Sequence, residues 1–370
     1  MFAKRTDWEL TPNPLTRLRE IKERRGDKIW DLTESNPTRC GFSFYNDKNL
    51  WTTLASPQNL RYEAHPQGLL KAREAVCVYY AERGITVLPE DVFLTSSTSE
   101  AYGFIFKLMT NPGDSILIRR PSYPLFDLLA QLHDSELVSE PRPDTKLAIF
   151  VNPNNPTGFY VSSQERDHAI KIMSGKGAVL SDEVFFDFPF KNELERQSFA
   201  AENKVLTFTL SGISKVLGLP QMKLAWIVVS GPRNEKKEAA KRLEIIADTF
   251  LSVNTPVQNA LPAWLSMQSG MVKEMRERIH TNRSFLTESF KNSSAVEILN
   301  AEAGWYSVLK LDSGFSEENI ATALMEKCNV YVHPGYFFDY NEGAHLVLSH
   351  ILPPDEFREA VGRMVNYLDG

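Results

Sequence analysis

Leu147-Ala-Ile-Phe-Val-Asn-Pro-Asn-Asn-Pro-Thr-Gly158 is an unbroken apolar run halted by a turn of asparagine, proline and glycine. A continuous run, unlike one that alternates with polar residues, suits a strand buried on both faces in a parallel sheet under helices. Similar runs recur on either side, at Val92–Thr95, Ser115–Ile118, 178–181, 205–210 and 224–229, most of them separated by helical patterns or loops. The succession predicts an α/β fold, a doubly wound domain with a mostly parallel central sheet and helices on both faces.

Open α/β sheets bind ligands at the carboxyl ends of their strands. Three motifs stand at such ends. Asn155 lies in the turn after 147–151, Ser181-Asp182-Glu183 closes 178–181, and Ser214-Lys215 follows 205–210 and precedes the Gly218-Leu219-Pro220 turn. An amide, an acid and an amine are the parts needed to hold an aldehyde-bearing heterocycle such as pyridoxal phosphate. The amine forms a Schiff base, and the acid pairs with the ring nitrogen. A fourth element, Thr95-Ser-Ser-Thr-Ser-Glu-Ala101, follows a strand-like run and opens a helical pattern. Backbone N–H groups at a helix N-terminus bind phosphate, and Ser97, Thr98 and Ser99 add hydroxyls. Each motif alone has an ordinary reading, as a surface lysine, a helix start, a turn or an N-cap. Their order and shared position at strand ends carry the functional one.

The chain has 370 residues, 42% hydrophobic and 24% charged, with a net charge of −6. That composition suits a globular protein with a sizeable core and argues against a nucleic-acid surface. Cys40, Cys77 and Cys328 are odd in number and far apart, with no CxxC pair, so neither a zinc site nor a disulfide framework is expected and no metal is assigned. The N-terminus has no apolar signal core, and no uncharged run reaches membrane-spanning length, which leads to an expectation of a cytoplasmic protein. Helical spacing marks 15–25, 69–80, 317–327 and 356–367, and from about Val257 a long charged helical stretch reaches Lys291. Strand-like runs at 305–309, 330–333 and Ala344–Ser349 then mix with helices. The expected organisation is an N-terminal arm (1–40) packing on a small domain, a large α/β domain (41–255) and a smaller α+β domain (256–370).

The order Tyr62…Gly68, Thr95-x-Ser-x-x-Glu-Ala101, Pro121-Ser-Tyr123, Asn152-Pro-x-Asn-Pro-Thr-Gly158, Asp182-Glu-Val184 and Ser214-Lys215 resembles the class I/II pyridoxal-phosphate-dependent aminotransferases of fold type I, the aspartate aminotransferase-like group. The resemblance spans nearly the whole chain. It implies that Lys215 forms the Schiff base and shuttles the proton, that Asp182 pairs with the ring nitrogen, and that Asn155 donates to the ring's phenolate oxygen. Tyr123 would stack on the ring. Ser97, Thr98, Ser99, Ser214 and Lys223 would hold the phosphate, with Tyr62 reaching that of a neighbouring subunit in a homodimer with shared sites. Asn36 and Arg39 would belong to a substrate loop, and Gly304-Trp305-Tyr306 would line the pocket from the small domain. The implied substrates are an amino acid and a 2-oxo acid, handled in ping-pong half-reactions; neither nucleic acid nor membrane is expected as a partner.

The chain departs from the family pattern at three positions. Phe185 stands where a tyrosine usually donates to the phenolate oxygen, which leaves Tyr123 or Tyr160 as substitutes. Lys223 stands where an arginine usually meets the phosphate, and a point cation lacks the bidentate fork. Val347 stands where the family places the arginine that clamps the substrate α-carboxylate. Arg39 is the first candidate to replace it, followed by His333, His345 and His350. Trp305, Tyr306, Tyr336, Phe337 and Phe338 suggest an apolar pocket wall. A lyase or decarboxylase on the same scaffold, or a catalytically altered cofactor-binding protein, is the competing expectation.

Overall fold

The apolar runs form the central sheet of the computed structural model, which describes residues 1–191 and 196–369. Its seven strands are ordered Val92–Thr95, Ala225–Ser230, Thr207–Gly212, Ala178–Asp182, Thr145–Val151, Ser115–Ile118 and Glu136–Val138. Ala225–Ser230 pairs antiparallel with both neighbours, and every other pairing is parallel. The sheet is mostly parallel, as the continuous apolar runs required. The strand expected at 205–210 begins at Thr207 and extends to Gly212, and that expected at 224–229 is Ala225–Ser230. Glu136–Val138 escaped the sequence reading because it is a short edge strand whose only buried residue is Val138.

Side-chain alternation splits each strand between two layers. Leu147, Ile149 and Val151 face a core shared with Ala101, Phe126 and Leu243, from the helices Thr98–Met109, Leu125–Leu132 and Arg233–Phe250. Ala148 turns the other way, toward Ala169 and Met173 of the helix Ser163–Met173. Leu94, Trp226 and Val228 meet Val76 and Tyr80 of the helix Leu70–Ala81. Helices therefore cover both faces. Each fully buried large apolar side chain of this kind stabilises the fold by roughly 1.5–3 kcal/mol.

A second, four-stranded antiparallel sheet is ordered His333–Pro334, Ala344–Ser349, Tyr306–Leu311 and Val296–Ile298. Its core combines Leu309 and Leu346 with Leu324 and Phe357 from the helices Glu317–Cys328 and Pro354–Leu368. Leu15 of the helix Pro14–Arg25 and Leu32 are buried in the same core. The run expected as one strand at 330–333 divides between two sheets. Val330–Tyr331 pairs in parallel with Trp30–Asp31, while His333–Pro334 joins Ala344–Ser349.

The charged stretch from Val257 is two helices, Thr255–Ser266 and Gln268–Ser289. The expected boundary at 255/256 does not describe how the first packs. Val257, Ala260, Leu261 and Trp264, on one face at helical spacing, join the core of Val76, Tyr80 and Trp226 beside the large sheet. The second helix serves both cores, with Met271, Met275 and Ile279 in the first and Leu286 in the other. Among the described residues no helix is long and apolar enough to cross a membrane.

Candidate active site

The carboxyl ends of the parallel strands converge on one cavity. Val151, Asp182 and Gly212 end their strands there, and Ala225 begins the reversed strand beside Gly212. The cavity holds about 150 Å³ and is also lined by Ser35, Thr98, Ser99, Tyr102, Tyr123, Asn155, Phe185, Ser214, Lys215 and Tyr306.

Lys215 sits in the one-turn helix Ile213–Val216, directly after its strand. Its Nζ donates to the Ser35 carbonyl at 3.3 Å and lies 4.7 Å from the centre of the Trp305 ring. Burial lowers its pKa to about 8, against the opposing pull of Glu34 and Asp182. Asp182 is buried, with Oδ2 accepting from the Tyr102 hydroxyl at 2.9 Å and Oδ1 from the Val184 N–H at 3.1 Å. Burial raises its pKa to about 6, although the Val184 and Tyr102 donors and Lys215 all favour the anion.

The neighbouring Glu183 is also buried but does not line the cavity. It accepts from Ser198 Oγ at 2.6 Å, the Phe199 N–H at 2.8 Å and Ser181 Oγ at 3.0 Å, and burial pushes it up to about 7. This network holds the end of the strand that presents Asp182. Asn155 is buried on the cavity wall, and its Oδ1 has no hydrogen-bond partner. Gly158, at φ +75°, closes the same turn, and its carbonyl accepts from the Glu302 and Ala303 N–H groups at 3.0 and 2.9 Å. The turn is thereby fastened to the segment that carries Trp305.

The helix Thr98–Met109 points its N-terminus at the cavity through Thr98 and Ser99. Ser97 does not line it: Ser97 is the N-cap, with Oγ accepting from the Glu100 N–H at 3.1 Å. The first turn must be capped before it can present donors, so Ser97 acts on the helix and not on the cavity.

Other sequence expectations fall outside the cavity wall. Lys223 is exposed in a left-handed conformation at φ 53°, and Tyr62 is 79% exposed. Asn36 uses its side chain to accept from the Thr38 N–H at 3.2 Å, closing its own turn. Arg39 is exposed and lies 3.6 Å from Glu34. Trp305 is fully buried behind Lys215, edge-on to Phe185 at 5.4 Å, and its Nε1 has no partner. Tyr306, not Trp305, supplies the wall.

Val347 is buried with Val308 and Phe338, so the small domain fills that place with apolar packing. None of the three histidines serves as a cation there. Burial lowers His333 to about 4 and His350 to about 3 and shifts His345 downward, so all are neutral at pH 7. His350 is tied to Ser307 Oγ at 2.7 Å, and His345 stacks on Tyr340 at 4.2 Å. Tyr336 is exposed, Phe337 and Phe338 pack around His333, and none of the three lines the cavity. Tyr160 is spent on the Phe186 carbonyl at 3.0 Å and Tyr102 on Asp182, which leaves Tyr123 and Tyr306 as the other phenols on the wall.

The sequence reading missed Tyr102 and the contact that Ser35 makes with Lys215. Tyr102 lies on the same helix face as Thr98 and Ser99, a spacing that could have revealed it. Ser35 acts on Lys215 through a backbone carbonyl, which leaves no residue-type signal.

The model of the family "Aminotransferase class I and II" matches residues 47–363. The chain belongs to the class I and II aminotransferases. It is accordingly a transferase that moves amino groups. Among curated relatives, it is 23% identical to the glutamate-pyruvate aminotransferase AlaA of Haemophilus influenzae, over 94% of this chain and 92% of the relative. With the Escherichia coli K12 protein of that name it shares 22% identity, over 95% and 94%. Its fold is that of a solved alanine aminotransferase from Pyrococcus furiosus, with a TM-score of 0.90 at 21% identity, covering 100% of this chain and 99% of the other. An aminotransferase from Escherichia coli aligns with a TM-score of 0.88 at 22% identity, covering 100% and 98%.

Proposed function

We propose that this aminotransferase moves an amino group from an amino acid to a 2-oxo acid, with pyridoxal 5'-phosphate held at the carboxyl edge of the large sheet. The observation that carries the reading is the meeting of Lys215, Asp182 and Asn155 in one cavity. The residues present fit that cofactor. A side-chain amide stands on the wall, a carboxylate is held by two donors, and the wall carries hydroxyls at a helix N-terminus.

When bound, the cofactor supplies a carbonyl carbon that takes up the amino group and a ring that draws electrons from the substrate. Lys215 Nζ, with its pKa lowered to about 8, is about one-tenth neutral at pH 7 and can accept a proton from the substrate's Cα and return it. Asp182, fixed by Tyr102 and Val184, would hold the ring nitrogen and favour its protonated form. Asn155 would offer its amide N–H to the ring oxygen, Tyr123 would cover the ring, and Thr98, Ser99 and Ser214 would receive the phosphate. Arg39 takes the substrate carboxylate by exchanging its 3.6 Å contact with Glu34 for it. Phe185 and the Trp305 behind it keep water from the Lys215 side of the cavity.

We further propose a cytoplasmic homodimer. The 79% exposed Tyr62 and the 90% exposed Leu60 belong to a face that a second copy would cover, where Tyr62 would reach the partner's phosphate site. The reaction is tested by incubating cofactor-loaded protein with single amino acids and assaying for pyridoxamine phosphate and the matching 2-oxo acid. Glutamate and pyruvate, which the relatives' names carry, are the first pair to try. Bound cofactor that never takes up an amino group, with ammonia released instead, would assign the site to elimination chemistry.

A further inference from the structure

A second cavity, of about 650 Å³, shares no lining residue with the first. It lies along the helix Gln268–Ser289, which lines it with Lys273, Arg276, His280 and Arg283. Those positions are spaced three, four and three residues apart, which places them on one helix face. Lys191 and Arg196 line the cavity as well.

The carboxylates lining it among the described residues are Asp187 and Glu277. Asp187 is already engaged by Arg83 at 2.6 Å, the Tyr79 hydroxyl at 2.8 Å and Gln268 Nε2 at 3.1 Å. Glu277 is 3.9 Å from Lys273, in an exposed pair worth little. Among the described residues Arg283 meets no carboxylate. Its Nε is buried without a partner, its guanidinium lies 4.4 Å from the centre of the Phe190 ring, and burial alone acts on its pKa, lowering it. A desolvated guanidinium left in this state costs free energy that an anion would recover. Phe188, Phe190, Val272 and Ile279 give the cavity an apolar lining beside the cations. Among the described residues, the concavity is lined by more cationic than anionic side chains.

We propose that this cavity binds a multivalent oxyanion joined to an organic body, a phosphate ester or polycarboxylate of metabolite size, apart from the amino-transfer site. Arginine forks recognise both anions in bidentate fashion, and the Phe190 face accepts the organic part. The cavity also adjoins the chemistry, since Phe188 meets Trp305 edge-on at 5.2 Å and Trp305 lies 4.7 Å from Lys215 Nζ. The proposal does not depend on which amino acid the first site uses.

The test is calorimetric titration of cofactor-loaded protein with pyrophosphate, ADP and citrate at low salt. The cofactor's own phosphate site is then already filled. Saturable binding of at least one probe is expected, weakening with ionic strength and falling about tenfold in both Lys191→Ala and Arg283→Ala. Arg242→Ala, which alters an exposed arginine outside the cavity, should leave it unchanged. Preference for pyrophosphate and ADP identifies a phosphate ligand, and preference for citrate a polycarboxylate. Absence of saturable binding with all three probes overturns the proposal. So does full affinity in Lys191→Ala, whatever Arg283→Ala shows, because exposed Lys191 can be truncated without disturbing the core.

Discussion

The Tyr102 hydroxyl donates a 2.9 Å hydrogen bond to Asp182 Oδ2 where the large sheet's carboxyl edge meets a helix. Burial opposes ionisation of Asp182, and this donor partly offsets it. The carboxylate is thereby held in one orientation before any ligand arrives. Tyr102 is itself fixed by Phe126 and Phe106, with ring centres 5.2 and 6.0 Å away.

Tyr102→Phe keeps those ring contacts and removes only the donor. The Asp182 carboxyl should then titrate above its present value of about 6. Pyridoxal phosphate affinity should fall about tenfold, in line with the loss of one hydrogen bond to a charged group. Equilibrium titration of apoprotein measures this, with thermal unfolding as the control for the fold. Unchanged affinity would remove Tyr102 from the site.

Lys215 sets a pH dependence whose sign follows from its environment. Its pKa falls from 10.5 to about 8 on folding, so the folded state disfavours the charged amine. The cost is fully present below about pH 8 and fades as pH rises toward 10.5. Apoprotein should therefore gain stability across that window, and Lys215→Met should melt higher at pH 7 and lack the gain. Capture of pyridoxal phosphate by wild-type apoprotein should rise with pH and level off above about 8. A rate still climbing at pH 10 would mean an ordinary lysine.

Lys215→Ala should abolish transamination while leaving the circular dichroism spectrum and cofactor contacts through Asp182 in place. Turnover at the wild-type rate would exclude this amine from the chemistry.

Arg39→Ala should raise KM for amino acids by roughly tenfold or more with a smaller change in kcat, because a charge-assisted contact to the carboxylate is lost. Glu34→Gln frees Arg39 from its ion pair and should move KM the opposite way. Equal KM in Arg39→Ala and wild type would leave carboxylate recognition to another group.

Gly158→Ala places a Cβ 2.5 Å from the Ala303 carbonyl oxygen, in a left-handed backbone at φ +75°. Both effects oppose the side chain, and the variant should lose at least ~2 kcal/mol of stability. Chemical denaturation measures the loss. A wild-type midpoint would show that the turn can shift away from the segment behind Lys215.

The large sheet was legible because strands such as Ala178–Asp182 are buried along their whole length and read as unbroken apolar runs. Glu136–Val138 was not, because an edge strand needs little apolar surface. Periodicity also located the helical stretch from about Val257 to Lys291, but not its division into two helices or the place of the first. Which sheet Trp264 packs against is a long-range fact that local spacing does not encode. In the site, Lys215, Asp182 and Asn155 were readable from strand-end position. Ser97 was misplaced because a run of hydroxyl residues does not say which member caps the helix. The histidines near Val347 were readable as residues but not as neutral ones, since their charge depends on surroundings assembled from distant segments.

The reversed strand Ala225–Ser230 has a consequence for how the amine is aimed. Gly212 pairs with Ala225, and the Ile213 N–H binds the Leu224 carbonyl at 3.1 Å, so the chain that leaves the rim at 212 is stitched back to it at 225. Lys215 rides on a closed loop whose two stems are neighbouring strands of one sheet. Its tether is short and stiff, and its reach is decided locally. Lengthening that loop should misdirect the amine, whereas the same insertion in an exposed connection elsewhere should not.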